Sequence, residues 1–331
     1  MIQAKPRIDS PPAWPRELAR AYSRPAELLE FLQLPPQPAA ATAFPLRVPR
    51  GYAARMKKAD PNDPLFLQVW PQADEVRDVE GFVADAVGDL KALGAGGLIH
   101  KYQGRALVIA TGACAVHCRY CFRREFPYGD HLGAREHWSA ALKAIATDTS
   151  IEEVILSGGD PLSLSDDRLA GFAQALEFLP HVQRLRIHTR LPVVLPERVD
   201  AALCAWLSRG RLQKIMVIHA NHAQELDASV VRALKTLRET GTMLLNQSVL
   251  LRGINDSADT LVQLSTSLSA AGVLPYYLHL LDRVRGTAHF EVGESRACAL
   301  MREVSARLPG YLVPRLARED AGAPAKRVLA W

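Results

Sequence analysis

No run of about 18 uncharged apolar residues occurs in the 331-residue chain, and a helix needs about that many to cross a bilayer. A membrane-spanning helix is therefore not expected. The beginning is also poor in apolar residues. Lys5, Arg7 and four prolines by Pro15 stand where a secretory leader would carry its hydrophobic stretch, so a cytoplasmic protein is expected. Blocks of five or more like charges are absent too. Lys and Arg total 40 against 35 Asp and Glu, a surplus of +5 with a pI near 9.0, too mild over this length to imply a nucleic-acid partner. Cysteines number only five, and an odd count argues against a disulfide framework. What is present is an ordinary globular composition, 48% apolar and 23% charged with 21 Gly and 22 Pro, which excludes a collagen, a coiled coil or a wholly disordered chain. At roughly 150 residues per domain, this length fits about two domains or one large α/β unit.

Thirteen of the 22 prolines fall within the first 71 residues. That density, with short amphipathic pieces at 25–32 and 51–58 between breakers, predicts a helical layer rather than sheet. Residues 1–95 are accordingly read as an N-terminal helical accessory region. A helix-like stretch over 81–93 is followed by a Gly94-Ala95-Gly96-Gly97 separator. Beyond it, apolar runs at 106–110, 154–156, 185–187, 215–218, 243–245 and 275–280 alternate with helix-like segments. After a longer first interval they recur roughly every 30 residues, the length of one βαβ unit. Six strand-helix repeats are expected, forming a parallel sheet covered on both faces. Spacing alone fits either an open doubly wound sheet or an incomplete barrel. Polar residues follow nearly every run, as in His188-Thr189-Arg190, His219-Ala220-Asn221 and Asn246-Gln247-Ser248. One such working edge favours an α/β fold of the partial (β/α)6 barrel type, assigned to residues 96–285.

Cys114, Cys118 and Cys121 lie within eight residues just after the first run, whereas Cys204 and Cys298 stand alone. Three thiolates on one loop can wrap a single metal centre and leave its fourth position to another ligand. The trio can be read as buried structural cysteines or as a zinc site completed by His117 or a distant histidine. No second CxxC pair supports zinc, and a cubane iron-sulfur cluster with one open iron fits better. Ser157-Gly158-Gly159-Asp160-Pro161 follows the second run. By itself it is an ordinary turn.

The spacing CxxxCxxC, with that glycine turn in register behind it, resembles the radical S-adenosylmethionine (SAM) superfamily. Further stretches narrow the likeness to the lysine 2,3-aminomutase family. They are Arg47-Val48-Pro49, Arg55-Met56, Asp63-Pro64-Leu65, Gln68-Val69, Thr189-Arg190-Leu191-Pro192, His219-Ala220-Asn221-His222 and Asn246 to Gly253. The resemblance covers about 44–329. It implies a 4Fe-4S cluster on Cys114, Cys118 and Cys121, with SAM on the fourth iron. Ser157, Gly158, Gly159 and Asp160 are then expected to receive the amino end of SAM, and His219 and Gln247 to contact it.

The same resemblance implies pyridoxal 5'-phosphate (PLP) bound as a Schiff base to Lys326, in the C-terminal segment 286–331. Lys101, Tyr102 and Arg105 match the positions that hold the PLP phosphate, although position 101 has lysine in place of the expected arginine. Arg123 matches the arginine that grips the substrate α-carboxylate, a task suited to a bidentate guanidinium. Asp282 and Glu319 match the acidic pair that receives the ε-ammonium of lysine, with Glu319 longer than the family's aspartate. Arg124, Glu125 and Asp320 are read as solvated or supporting charges.

The chain runs five residues past Lys326, where fermentative lysine mutases are expected to continue into a zinc-binding segment, and Ser257 stands in place of a further zinc ligand. No structural zinc is expected. The stretches 121–128 and 309–316 resemble the bacterial branch that supplies β-lysine for modification of translation elongation factor P. That likeness implies conversion of free L-α-lysine to β-lysine, a separate lysine ligase downstream and an electron donor such as flavodoxin. The alternatives are a catabolic lysine, glutamate or arginine 2,3-aminomutase and, in another class, a zinc-stabilised RNA- or ribosome-associated binding protein.

Overall fold

The computed structural model describes residues 13–40, 44–129 and 137–331. Lys5, Arg7 and the rest of the first 12 residues of the predicted accessory region lie outside the described residues. Each of the six apolar runs forms the heart of a strand: β2 Arg105–Thr111, β3 Glu153–Gly158, β4 Arg184–Thr189, β5 Gln213–Ile218, β6 Met243–Val249 and β7 Leu274–His279. Three strands were not expected: β1 Leu98–Tyr102, β8 Arg315–Arg318 and β9 Arg327–Val328. All nine form one sheet in sequence order. β2 to β8 run parallel, and β1 and β9 pair antiparallel at the two edges.

Sequential order decides between the two architectures, because a doubly wound sheet reverses its strand order in the middle. No reversal occurs, and among the described residues β1 does not pair with β9. The sheet is an open, incomplete barrel, with seven parallel strands rather than the six expected. β8 escaped notice because only Leu316 and Ala317 are buried, between two arginines. β1 is joined to β2 by a two-residue hairpin turn closed by the Tyr102–Arg105 pair, with Gly104 at φ +75°, as such turns require.

Alternation along the strands separates the two faces. On β4, Leu185 and Ile187 are buried against the helical layer, whereas Arg184, Arg186 and His188 occupy the other set of positions. The helices Asp166–Glu177, Ala201–Leu207, Ala228–Glu239 and Ala258–Ala270 cross between successive strands. Among the described residues the N-terminal layer carries helices Trp14–Ala19, Pro25–Leu32, Arg50–Ala53 and Pro64–Leu67. Pro25 and Pro64 stand in the first helical turn, where their missing N–H is harmless, and Asp63 caps Leu65 and Phe66 at 2.9 Å. The piece expected over 51–58 is helical only to Ala53.

The helix-like reading of 81–93 is corrected. This segment is an irregular strap with a single 3-10 turn, Leu90–Ala92. Gly81 and Gly88 adopt positive φ, which breaks a helix, and the Asp85 carboxylate takes the Asp89 and Leu90 amides at 2.8 and 3.0 Å, a local alternative to helical bonding.

Leu28 and Leu32 share one continuous apolar core with Val108, Val154 and Leu156. Leu32→Ala should lower stability by about 2–5 kcal/mol in a single urea-unfolding transition. A separate early transition of the N-terminal layer would contradict a shared core.

Candidate active site

β2 ends at Thr111, and the loop beyond it carries the three thiols. The N-terminal layer pins this loop: His117 N donates to Arg47 O at 3.0 Å and Arg119 N to Gln68 O at 2.9 Å. The His117 ring stacks on Phe44 with centroids 4.9 Å apart, and its Nδ1 lies 2.8 Å from Pro45 O. That engagement turns His117 to the N-terminal layer and away from the zinc role considered for it. Buried Arg119 places Nε 2.7 Å from Glu75 Oε1, and Arg124 Nη2 lies 2.6 Å from Glu75 Oε2. Arg124 is thus a buried tie rather than a solvated charge.

Burial, together with the nearby Cys121, Asp160 and Cys118, pushes the Cys114 thiol well above its ordinary range. Burial and Cys118 push Cys121 up to about 11. Such thiols keep their protons at neutral pH unless a cationic centre displaces them. The described residues contain no preformed cage of three or more His, Cys, Asp or Glu side chains. The donor set, three half-buried thiols on one loop, nevertheless fits a group that takes several sulfurs at once.

The turn after β3 lies directly against this loop. Gly158 has φ +116°, and a Cβ on Gly159 would stand 2.5 Å from Ala113 O, so no side chain fits there. Asp160 is buried, and both its oxygens are taken by the protein. Thr189 Oγ1 and Leu162 N donate to Oδ1 at 2.6 and 3.1 Å, while Arg190 N and Leu191 N donate to Oδ2 at 2.7 and 3.1 Å. Burial outweighs these bonds and lifts its carboxyl to about 6. The Asp160 side chain ties the β3 turn to the β4 end.

Arg190, whose role the sequence did not indicate, is the hub behind the thiols. Nη1 lies 2.7 Å from Cys118 Sγ, and Nη2 reaches Gln68 Oε1 at 2.7 Å, Glu225 Oε2 at 2.9 Å and Tyr52 Oη at 3.1 Å.

A second cluster lies where the β8 end, the C-terminal turn, β1 and the strap meet. Glu319 places Oε1 3.0 Å from Lys101 Nζ and Oε2 3.1 Å from Lys326 Nζ. Lys101 also contacts Asp89 Oδ1 at 2.5 Å, and Asp89 Oδ2 accepts from Arg123 Nε at 2.7 Å. Arg123 Nη1 donates to Ser157 Oγ at 3.0 Å, which joins this cluster to the glycine turn. Lys101 is therefore committed to two carboxylates and is not presented to a phosphate. Arg105 has its guanidinium 4.7 Å from the Tyr102 ring centroid and no carboxylate partner among the described residues. Asp282 has no side-chain hydrogen bond there either. Burial and the Glu319 charge push its carboxyl up to about 7.

His219 and Gln247 meet, with their Nε2 atoms 2.6 Å apart. Burial, Arg190 and Lys326 hold the His219 imidazole down to about 3, so it is neutral at working pH and electrically within reach of both clusters. His188 and His279 are also held neutral, by burial first and with Lys326 contributing to both. Lys326 Nζ stands 5.8 Å from the Tyr277 ring centroid. Sequence reasoning placed His188 and Arg190 on the working edge without a role for either, and missed Asp89 and His279; His279, at the end of β7, lay on that same edge.

No family model matches the chain. It is 46% identical over 322 residues to "L-lysine 2,3-aminomutase" of Escherichia coli (strain K12), covering 96% of this chain and 94% of that protein. It is 45% identical over 335 residues to the protein of the same name from Haemophilus influenzae, covering 100% and 99%. The chain belongs to the lysine 2,3-aminomutase family. This aminomutase is accordingly an isomerase by family. It is 33% identical over 276 residues to the namesake from Clostridium subterminale, covering 83% of this chain and 66% of that one.

In this aminomutase one buried carboxylate, Glu75, balances two arginines that flank Cys121. Glu75→Gln should cost about 3–5 kcal/mol by removing the buried carboxylate charge that both guanidiniums contact, as read from urea denaturation followed by circular dichroism. A loss below about 1 kcal/mol, the range of a surface pair, would contradict that dependence.

Proposed function

We propose that this aminomutase converts L-α-lysine to β-lysine with a 4Fe-4S cluster, SAM and PLP, and that the product serves β-lysylation of translation elongation factor P. The carrying observation is Asp282, a carboxylate with no hydrogen-bond partner among the described residues, whose ionisation the Glu319 charge opposes and the Lys326 charge favours. In this reading an arginine and two carboxylates serve one substrate, a set that suits a long amino acid with an ammonium at its far end.

In this reading Cys114, Cys118 and Cys121 hold the cluster. Ser157, Gly158 and Gly159, with His219 and Gln247, line the SAM position, while Asp160 braces it. Lys326 holds PLP, with Tyr102 and Arg105 near its phosphate. When bound, these groups supply a hydrogen-abstracting radical and an aldehyde that carries the migrating amino group. The chain's own work is to bind, orient and exclude water. Arg123 receives the α-carboxylate, and Asp282 with Glu319 receives the ε-ammonium. Glu319 Oε2, 3.1 Å from Lys326 Nζ, orients that lysine. Residues 1–95 serve as the accessory layer, 96–285 as the barrel and 286–331 as the segment that brings Lys326 to it.

The elongation-factor branch is supported by the stretches 121–128 and 309–316 and by the higher identity to the E. coli relative than to the clostridial one. A lysine ligase would consume the product, and a flavodoxin-like donor would reduce the cluster, in the cytoplasm. Among the described residues no helix is long and apolar enough to cross a membrane. Glutamate suits the cavity poorly, since its side-chain carboxylate would meet Asp282 and Glu319 with like charge.

With SAM, PLP and reductant under anaerobic conditions, L-lysine should yield its β-isomer while glutamate and arginine do not. Comparable conversion of either would overturn the assignment. Asp282 binds an ammonium only when ionised, and its carboxyl is pushed up to about 7, so kcat/KM for lysine should rise as pH increases through that value. Asp282→Asn should remove this limb of the profile. Its persistence in the variant would assign the limb to another group.

A further inference from the structure

Asp89 sits on the strap, a segment with little regular structure that is nevertheless fixed from both sides. Val83 N donates to Arg283 O and Arg285 N to Val83 O, each at 3.0 Å. Gly88, at φ +69°, lies so close to the C-terminal turn that a Cβ there would stand 3.3 Å from the Ala321 Cβ. The Asp89 carboxylate is thereby placed in the interior, and the residue is 2% exposed. Burial opposes its ionisation, but Arg123 and Lys101 more than reverse this and hold its carboxyl below the ordinary range.

The geometry restricts what Arg123 can do. Asp89 holds Nε and Ser157 holds Nη1, while Nη2 has no hydrogen-bond partner among the described residues. The guanidinium plane is fixed, and its outer edge is left for an anion. Lys101, held by the same carboxylate, keeps Glu319 next to Lys326. The Arg123 end of the site depends on Asp89 directly, whereas on the ammonium side Glu319 is also held by Lys326, and Lys101 by Val87 O at 2.8 Å.

We propose that Asp89 is a positioning residue for substrate selection, orienting Arg123 so that its free edge meets the α-carboxylate of the amino acid. This rests on the reading that Arg123 receives that carboxylate. A purely structural ion pair would weaken every ligand of the cavity alike. A positioning role weakens only ligands that carry the carboxylate.

The test compares L-lysine with 1,5-diaminopentane, the same chain of atoms without the carboxylate, by calorimetry on the PLP-loaded protein without reductant, so that no turnover occurs. Asp89→Asn should raise the Kd of lysine by about tenfold or more and change that of the diamine by less than about twofold, with the PLP absorbance unchanged. Asp89→Glu, which keeps the charge but lengthens the arm, should lose about two- to fivefold, again for lysine only. It is the decisive variant where Asp89→Asn does not fold. Unchanged lysine affinity in the folded variants, or equal losses for both ligands, overturns the proposal while leaving the lysine reading intact. Failure of the unaltered protein to bind lysine overturns both.

Discussion

Five charged side chains, Arg123, Asp89, Lys101, Glu319 and Lys326, touch in one unbroken line, and the shape of the candidate site depends on it. A buried charge without a partner is expensive, so each member dictates where the next must lie. The line crosses five separate parts of the chain: the end of the thiol loop, the strap, β1, the end of β8 and the C-terminal turn. No apolar packing could specify that arrangement as narrowly, because hydrophobic contact has no direction.

A second set of polar contacts does the same work at the thiol end. Asp160 binds the start of the β3 turn to the end of β4, and Arg190 carries that connection to Cys118, Gln68 and Glu225. The N-terminal layer, which carries Gln68, Tyr52 and Glu75, is thereby a supporting wall of the site as well as a covering for the barrel. Ser157 joins the two sets through its bond to Arg123.

Much of this was legible in the sequence wherever one physical signal dominated. Most of the six strands were readable because parallel strands buried on both faces are nearly continuous apolar runs, while β4, which alternates Leu185 and Ile187 with arginines, was readable from the spacing of its neighbours. The thiol loop and the glycine turn were readable because ligand spacing is local. β8 and β9 were not, since two apolar residues between arginines carry no usable period. The strap was misread because the apolar residues of 81–93 suit a helix, while its course is set by Gly81, Gly88 and the Asp85 cap, whose effects depend on backbone conformation. Asp89 was invisible for the same reason, as an acid on a presumed helix surface signals only solvation. Lys101 was read from position as a phosphate ligand, and its commitment to Asp89 and Glu319 appears only in three dimensions.

The central claim is that the thiol loop and Lys326 serve one cavity, with the line of ion pairs between them. An anaerobic crystal structure of the cofactor-loaded protein, with iron located by anomalous scattering, tests this most directly. Iron should lie on Cys114, Cys118 and Cys121, and PLP on the Lys326 Nζ, both bordering a space that Asp282 also faces. PLP on a different lysine, or packed protein separating Lys326 from the iron, would contradict it.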